Sequence, residues 1–302
     1  MKIKDILTNI ILIVAIVLLV GVIGFLGYNM YKMLIGDQDI SLGIGDAGYP
    51  EIGYSNSKQE KDENSSNDVI FTGVESGNST STDIQNRYRN LYSQLDENAK
   101  IIYNKLYANK ENLKTGTYKI EFGETFSKLL GTTYGSEDLQ SSYQSAIEAL
   151  VYENPEIFYI DATKMYINIE KTTKITGVKY NVYINQGKNS TYLSDGFYGK
   201  ESIDASIQEI EKVKKQILQE VSGKSDYESI RIIHDYLVDN IEYESTISKN
   251  NIYNIYGALV MKECVCEGYA KAFQYLMNEI GIDNALIIGD ATNSNNETEN
   301  HA

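Results

Sequence analysis

Cys264-Val265-Cys266-Glu267-Gly268-Tyr269-Ala270-Lys271-Ala272-Phe273, with His301-Ala302 farther along, decides how this 302-residue chain is read. After Cys266 the apolar residues Ala270, Phe273, Leu276, Met277 and Ile280 recur at helical spacing, and Gly281 supplies a C-terminal stop. Cys266 is therefore expected in or just before the first turn of an amphipathic helix. The unpaired N–H groups and the positive end of the helix dipole favour a thiolate there. A thiolate attacks an amide or ester carbonyl, and the same N–H groups can receive the oxyanion that develops. Gly268 would let substrate backbone approach closely.

Such a thiol needs a general base, and the chain has only two histidines, His234 and His301. Ala285-Leu286-Ile287-Ile288-Gly289 reads as a buried strand, Asp290 to Asn300 as a loop, and His301 as the opening of the next strand. That order can return the second strand to the helix N-terminus. His234 flanks a helical stripe of Ile230, Ile233, Leu237 and Ile241 and reads as a half-buried packing residue. The bland reading of Cys266 is a small core residue, and Cys264 is the competing thiol. A Cys264–Cys266 disulfide would close a tight, strained ring. Two cysteines and a distant histidine are too few for a closed zinc site, so no metal or cofactor is expected.

The run CEGYAKAF, then GIDNALIIGD, then HA resembles the transglutaminase-like core of the papain-like cysteine enzymes. The resemblance covers roughly residues 225–302. It implies that Cys266 is the nucleophile and His301 the base of a Cys-His-Asp triad. The orienting aspartate has no counterpart in the chain, so the core is expected to be C-terminally incomplete and the sequence a fragment. Upstream, Ile232 to Tyr243 looks like the helix before the nucleophile in bacterial members. Ala149 to Tyr159 looks like the accessory region of membrane-anchored bacterial proteins. Glu267 and Tyr269 belong to the motif and read as structural or cleft-lining.

The N-terminus carries a separate signal. Residues 6–28 are uncharged and apolar, long enough at ~1.5 Å per residue to cross a hydrocarbon core of about 30 Å. Gly24-Phe25-Leu26-Gly27-Tyr28 offers no small-residue cleavage pattern, which favours an uncleaved anchor over a signal peptide. Lys2 and Lys4 precede the run and Lys32 follows it, so a cytoplasmic N-terminus and an extracytoplasmic main domain are expected. Residues 29–86 read as a flexible linker, because their Gly, Ser, Asn, Asp and Glu cannot bury enough surface.

Residues 87–222 form an α+β accessory region in this reading, and 223–302 the incomplete core; the fold class is α+β. Tyr92 to Leu106, Ser142 to Tyr152 and Ile203 to Val221 carry helical stripes. Lys164 to Ile169 and Val178 to Ile184 alternate as strands. Ser225-Asp226-Tyr227-Glu228 has the form of a capping box. A net charge of −15 makes nucleic acid an unsuitable partner, and two cysteines in an exported chain exclude a disulfide framework. Two functional classes follow. One is a membrane-anchored enzyme that forms a thioester on protein or peptide amides, cell-envelope ones included, and passes the acyl group to an amine or to water. The other is a catalytically inactive tethered binding module on the same fold.

Overall fold

The computed structural model describes residues 37–43, 90–174, 177–246, 248–292 and 298–302, and these form an α+β structure. The expected membrane helix 6–28 and most of the linker 29–86 lie outside them. Among the described residues, no helix is long and apolar enough to cross a membrane. The elements run β1 (Asp37–Gly43), α1 (Asn90–Gln94), α2 (Glu97–Ala108), α3 (Lys110–Leu113), β2 (Ile120–Gly123), α4 (Ser127–Leu130), α5 (Gly135–Glu153), β3 (Tyr166–Lys174), β4 (Gly177–Asn185), α6 (Lys200–Val221), α7 (Asp226–Asn240), β5 (Glu242–Tyr243), β6 (Glu263–Cys264), α8 (Cys266–Glu279), β7 (Gly289–Thr292) and β8 (Thr298–His301). Short 3-10 turns occupy Pro155–Ile157 and Ala162–Lys164, and a π turn occupies Gly257–Met261.

The chain divides into two compact units, and their borders do not fall at residue 222. The first gathers 119–140 and 167–184 with β1. Its sheet has the order β1-β3-β4-β2. β2 runs antiparallel to β4 with Ile120 opposite Ile184, and the register slips between Glu121 and Gly123. Phe122 is the extra residue of that bulge, and Gly123 takes the left-handed φ of +58° that turns the strand out of it. Ile120, Ile167, Ile169, Val182 and Ile184 are buried on the sheet with Phe126 and Leu130. Asp37–Gly43, which the composition placed in the linker, is an edge strand instead. Ile40-Ser41-Leu42 alternates as a strand requires, and the acidic Asp37 and Asp39 suit an edge. The strand expected from Lys164 starts at Tyr166, because Ala162–Lys164 is a 3-10 turn, and it continues through the polar run Glu170–Lys174, which shows no alternation; the strand expected over Val178 to Ile184 is β4.

The second unit gathers 90–118, 141–166 and 185–302. The helical stripe from Tyr92 to Leu106 is two helices, since Asp96 stops the first and caps the second by accepting from the Ala99 amide at 2.8 Å. The capping box at Ser225 forms as its sequence implies, with the Ser225 hydroxyl taking the Glu228 amide and the Glu228 carboxylate returning to the Ser225 amide. At the other end of the unit, Gly281 takes φ +76° after α8. The Ile282 amide reaches the Met277 carbonyl at 3.0 Å and the Gly281 amide the Asn278 carbonyl at 3.2 Å, a Schellman closure.

α8 is the hub of this unit. It packs against α7, the 257–261 turn, β6 and Pro155–Ile157. Its buried face runs through Gly268, Ala272, Tyr275 and Leu276, with Glu267, Gln274 and Met277 also enclosed. That face is wider than the stripe read from the sequence, in which Ala270 and Phe273 are only half-buried. A helix covered from several sides buries polar residues that a one-sided stripe would leave out. Lys214 of α6 bridges Glu211 at 2.6 Å and Glu279 of α8 at 2.9 Å, and the Tyr275 hydroxyl donates to Glu211 at 2.9 Å, tying the two helices together.

Candidate functional site

Cys266 is the first residue of α8, and Val265, in extended conformation, precedes it. Short backbone pairings hold this entry from two sides. β5 lies parallel to β6, with the Glu242 amide donating to Lys262 (2.9 Å) and the Glu244 amide to Cys264 (3.0 Å). The Val265 amide donates to the Ile252 carbonyl at 3.0 Å. Lys262 adopts a left-handed φ of 61°, turning the chain from the 257–261 π turn into β6, and its ammonium rests 2.8 Å from the Tyr236 hydroxyl. No side chain caps α8, so its first-turn N–H groups have neither an intrahelical nor a side-chain partner.

The two thiols differ sharply. Cys264 is fully buried; Cys266 is partly exposed. Burial, and then the negative charge of Cys266, pushes the Cys264 thiol up to about 12. A thiol so placed stays protonated at neutral pH and makes a poor nucleophile. Above pH 9 the unfolded chain loses the Cys264 proton while the folded chain keeps it, so Cys264 destabilises the fold progressively as pH rises from 9 toward 12. At pH 7 to 8, iodoacetamide is expected to alkylate Cys266 in the folded chain and leave Cys264 unlabelled, with both labelled after denaturation. Peptide mapping reads this directly, and equal labelling in the folded state would refute it.

Gly268 does not serve substrate approach. A Cβ there would stand 2.5 Å from both the Ile252 carbonyl oxygen and Cys264 Cβ. The residue is glycine because α8 presses against the strand that leads into it. Tyr269 is structural: its hydroxyl donates to the Ile241 carbonyl at the end of α7, and its ring lies nearly parallel to Tyr243, 6.4 Å between centroids. Glu267 is buried against Lys271, with Oε1 2.6 Å from Nζ, a charge contact whose geometry falls outside an aligned hydrogen bond.

The strand expected at Ala285–Gly289 starts later. Residues 282–288 carry no ladder, and Ile287 is 80% exposed. The hairpin is β7–β8, pairing Gly289 with His301 and Thr292 with Thr298. Asp290–Thr292 and Thr298–Asn300, read as loop, are strand, because polar residues pair across a short hairpin without any apolar alternation to announce it. His301 closes its strand rather than opening it, and its side chain is exposed. Among the described residues no hydrogen bond joins it to Cys266. His234 is solvent-facing rather than half-buried, with Nδ1 3.1 Å from Asp235.

Residues 215–302 match the family model of the transglutaminase-like superfamily. This segment is a transglutaminase-like domain. No curated protein matches the chain. The match includes both Cys266 and His301, and it begins within α6, ahead of the residue 223 at which the sequence placed the core.

Beside the first turn of α8 in the transglutaminase-like domain lies a cleft of about 360 Å3 that sequence reasoning missed. Glu148, Tyr152, Tyr253, Asn254, Glu267 and Lys271 are among its walls. Tyr253 follows Ile252, whose carbonyl takes the Val265 amide, and so stands next to Cys266. Burial first, and then the charges of Glu267 and Cys266, raise its phenol. Nothing in the period of Asn251-Ile252-Tyr253-Asn254 marks it as a cleft wall, because only the pairing of residue 252 with residue 265 brings it there.

Proposed function

We propose that the chain is a membrane-anchored, extracytoplasmic transglutaminase-like acyltransferase or amidase acting on protein or peptide amides, those of the cell envelope included. The observation that carries this reading is the pair of thiols. Cys266 is open at the uncapped N-terminus of α8, whereas Cys264 is sealed in the core. In the proposed reaction, Cys266 Sγ attacks the amide carbonyl carbon, and the first-turn N–H groups of α8 receive the oxyanion. His301 takes the thiol proton and returns it to the departing nitrogen as the C–N bond breaks, leaving a thioester. An amine or water, losing its own proton to His301, then displaces Cys266 and restores the thiol. An aspartate that would orient His301 is not assigned.

The test is a glutamine-containing peptide offered with and without a primary amine. Ammonia release with amine incorporation makes the protein a transglutaminase; ammonia release or peptide cleavage with water alone makes it an amidase or protease. Neither product would favour the inactive binding module. That reading draws support from the exposed ring of His301, which has no hydrogen-bond partner among the described residues.

Residues 6–28 are proposed to span the membrane with the N-terminus inside, on the strength of their uncharged apolar length and the preceding lysines. Protease added to intact cells is expected to release the folded region by cutting N-terminal to residue 90. Full protection of the chain would reverse the orientation, and a soluble mature form beginning after residue 28 would remove the anchor. The net charge of −15 argues against a nucleic-acid partner.

A further inference from the structure

Cys266 has two flanks. With about 100° between successive helical residues, Glu267 lies to one side of it and Tyr269, three residues on, to the other. The Glu267 side borders the cleft that Glu267 lines. The Tyr269 side carries a shoulder of two tyrosines. Tyr243 lies nearly parallel to Tyr269, with 13° between the ring planes, and is 58% exposed. Residues at i and i+3 of a helix stand about 5–6 Å apart at Cβ, so this shoulder adjoins the partly exposed thiol. The Tyr253 phenol, raised by burial and then by Glu267, Cys266 and Tyr243 in that order, has both Cys266 and Tyr243 as neighbours.

Both rings of the shoulder are held in place. The Tyr269 hydroxyl donates to the Ile241 carbonyl. Tyr243 stands opposite Cys264 in the parallel β5–β6 ladder, and the amides on either side of it, those of Glu242 and Glu244, donate to the Lys262 and Cys264 carbonyls at 2.9 and 3.0 Å. A single apolar ring left at the surface is ordinary. A ring whose backbone is pinned at both neighbours, and which is stacked on a second fixed ring, loses little further freedom when a partner settles on it. That is the property of a binding anchor. The charges beside it narrow the choice of partner. Glu242 and Lys262, joined by their backbone bond, carry opposite charges, so neither an anion nor a cation is favoured there. A flat neutral group remains, and aromatic rings pair by offset stacking beyond what their buried area alone supplies.

We infer that the Tyr243–Tyr269 shoulder is a specificity subsite for an aromatic side chain adjoining the reacting amide of the peptide substrate, with Tyr243 as the residue that stacks on it. The inference rests on the acyl-transfer reading for its use, but its test reads alkylation and binding and needs no turnover.

The test alkylates Cys266 in the full chain carrying Cys264→Ala, using two iodoacetamides of matched length, one ending in a phenyl ring and one in a cyclohexyl ring. The phenyl reagent is expected to react saturably and about fivefold faster than the cyclohexyl reagent, the gain that one stacked ring pair supplies. In urea the two should react at one rate, which removes intrinsic reactivity from the comparison. Tyr243→Leu, with an unchanged circular dichroism spectrum, is expected to erase the preference, and Tyr243→Phe to keep it. The chain has no tryptophan, so Tyr243→Trp supplies a single fluorescent reporter. On the full chain that also carries Cys266→Ala, acetyl-phenylalanyl-glutamine amide should change that fluorescence saturably and the alanyl counterpart should not, which decides the matter even if the leucine variant does not fold. Equal rates in the folded chain, a preference that survives Tyr243→Leu, a still faster reagent ending in an ammonium group, or equal fluorescence responses to the two peptides would overturn the inference. Absence of acyl transfer alone would count against the proposed function and leave this result standing.

Discussion

Cys266→Ala is expected to abolish acyl transfer, by about ten-thousandfold or more in kcat, with substrate affinity little changed. Removing the nucleophile of a thiol enzyme removes the covalent route itself and leaves only what binding and the oxyanion donors supply. The structure defines the controls. Cys264→Ala leaves Cys266 in place and deletes one buried atom, so activity should persist at a cost of about 1–2 kcal/mol in stability. His301→Ala should approach the Cys266 loss in kcat, since proton transfer to the leaving nitrogen is then unassisted. His234→Ala should leave activity unchanged, because that ring faces solvent beside Asp235. Rates with model peptides decide the set. Activity surviving Cys266→Ala, or disappearing with His234→Ala, would break the assignment.

The second large effect is structural. Gly268→Ala places a methyl group 2.5 Å from the Ile252 oxygen and from Cys264 Cβ, and 3.1 Å from Cys264 Sγ. All three atoms lie in pinned segments that precede Cys266, and the two at 2.5 Å are not the ends of flexible side chains. Relief requires α8 to move off β6, so the expected cost is about 2–3 kcal/mol. For a folded region of this size that lowers the melting temperature by roughly 5–10 °C. Movement of α8 also carries Cys266 away from Tyr253, so the kcat of the folded variant should fall as well. A thermal unfolding curve superimposable on that of the unsubstituted chain would show that the contact is slack.

How far the sequence carried the reading depends on the kind of signal each element left. The helix after Cys266 was legible because its start, its stop at Gly281 and its apolar residues all agree, and the Ser225 cap because two residues at fixed spacing suffice for it. Gly268 was misread because an invitation to substrate and a close contact between elements leave the same residue type; only the position of Ile252 and Cys264 separates them. Strand β1 and the β7–β8 hairpin were lost in polar runs that pair through backbone alone. The cleft was illegible in principle. Glu148, Tyr253 and Lys271 come from distant stretches, and none carries a local pattern that would set it apart from a surface or core residue.

The most direct test of the central claim is to trap the acyl-enzyme. The full chain is mixed with an activated peptide ester at neutral pH, quenched in acid, digested and mapped by mass spectrometry. The acyl group is predicted on Cys266 alone, absent from the Cys266→Ala chain and retained by the Cys264→Ala chain. An acyl group found on Cys264, or spread equally over both thiols and the lysines, would contradict the account.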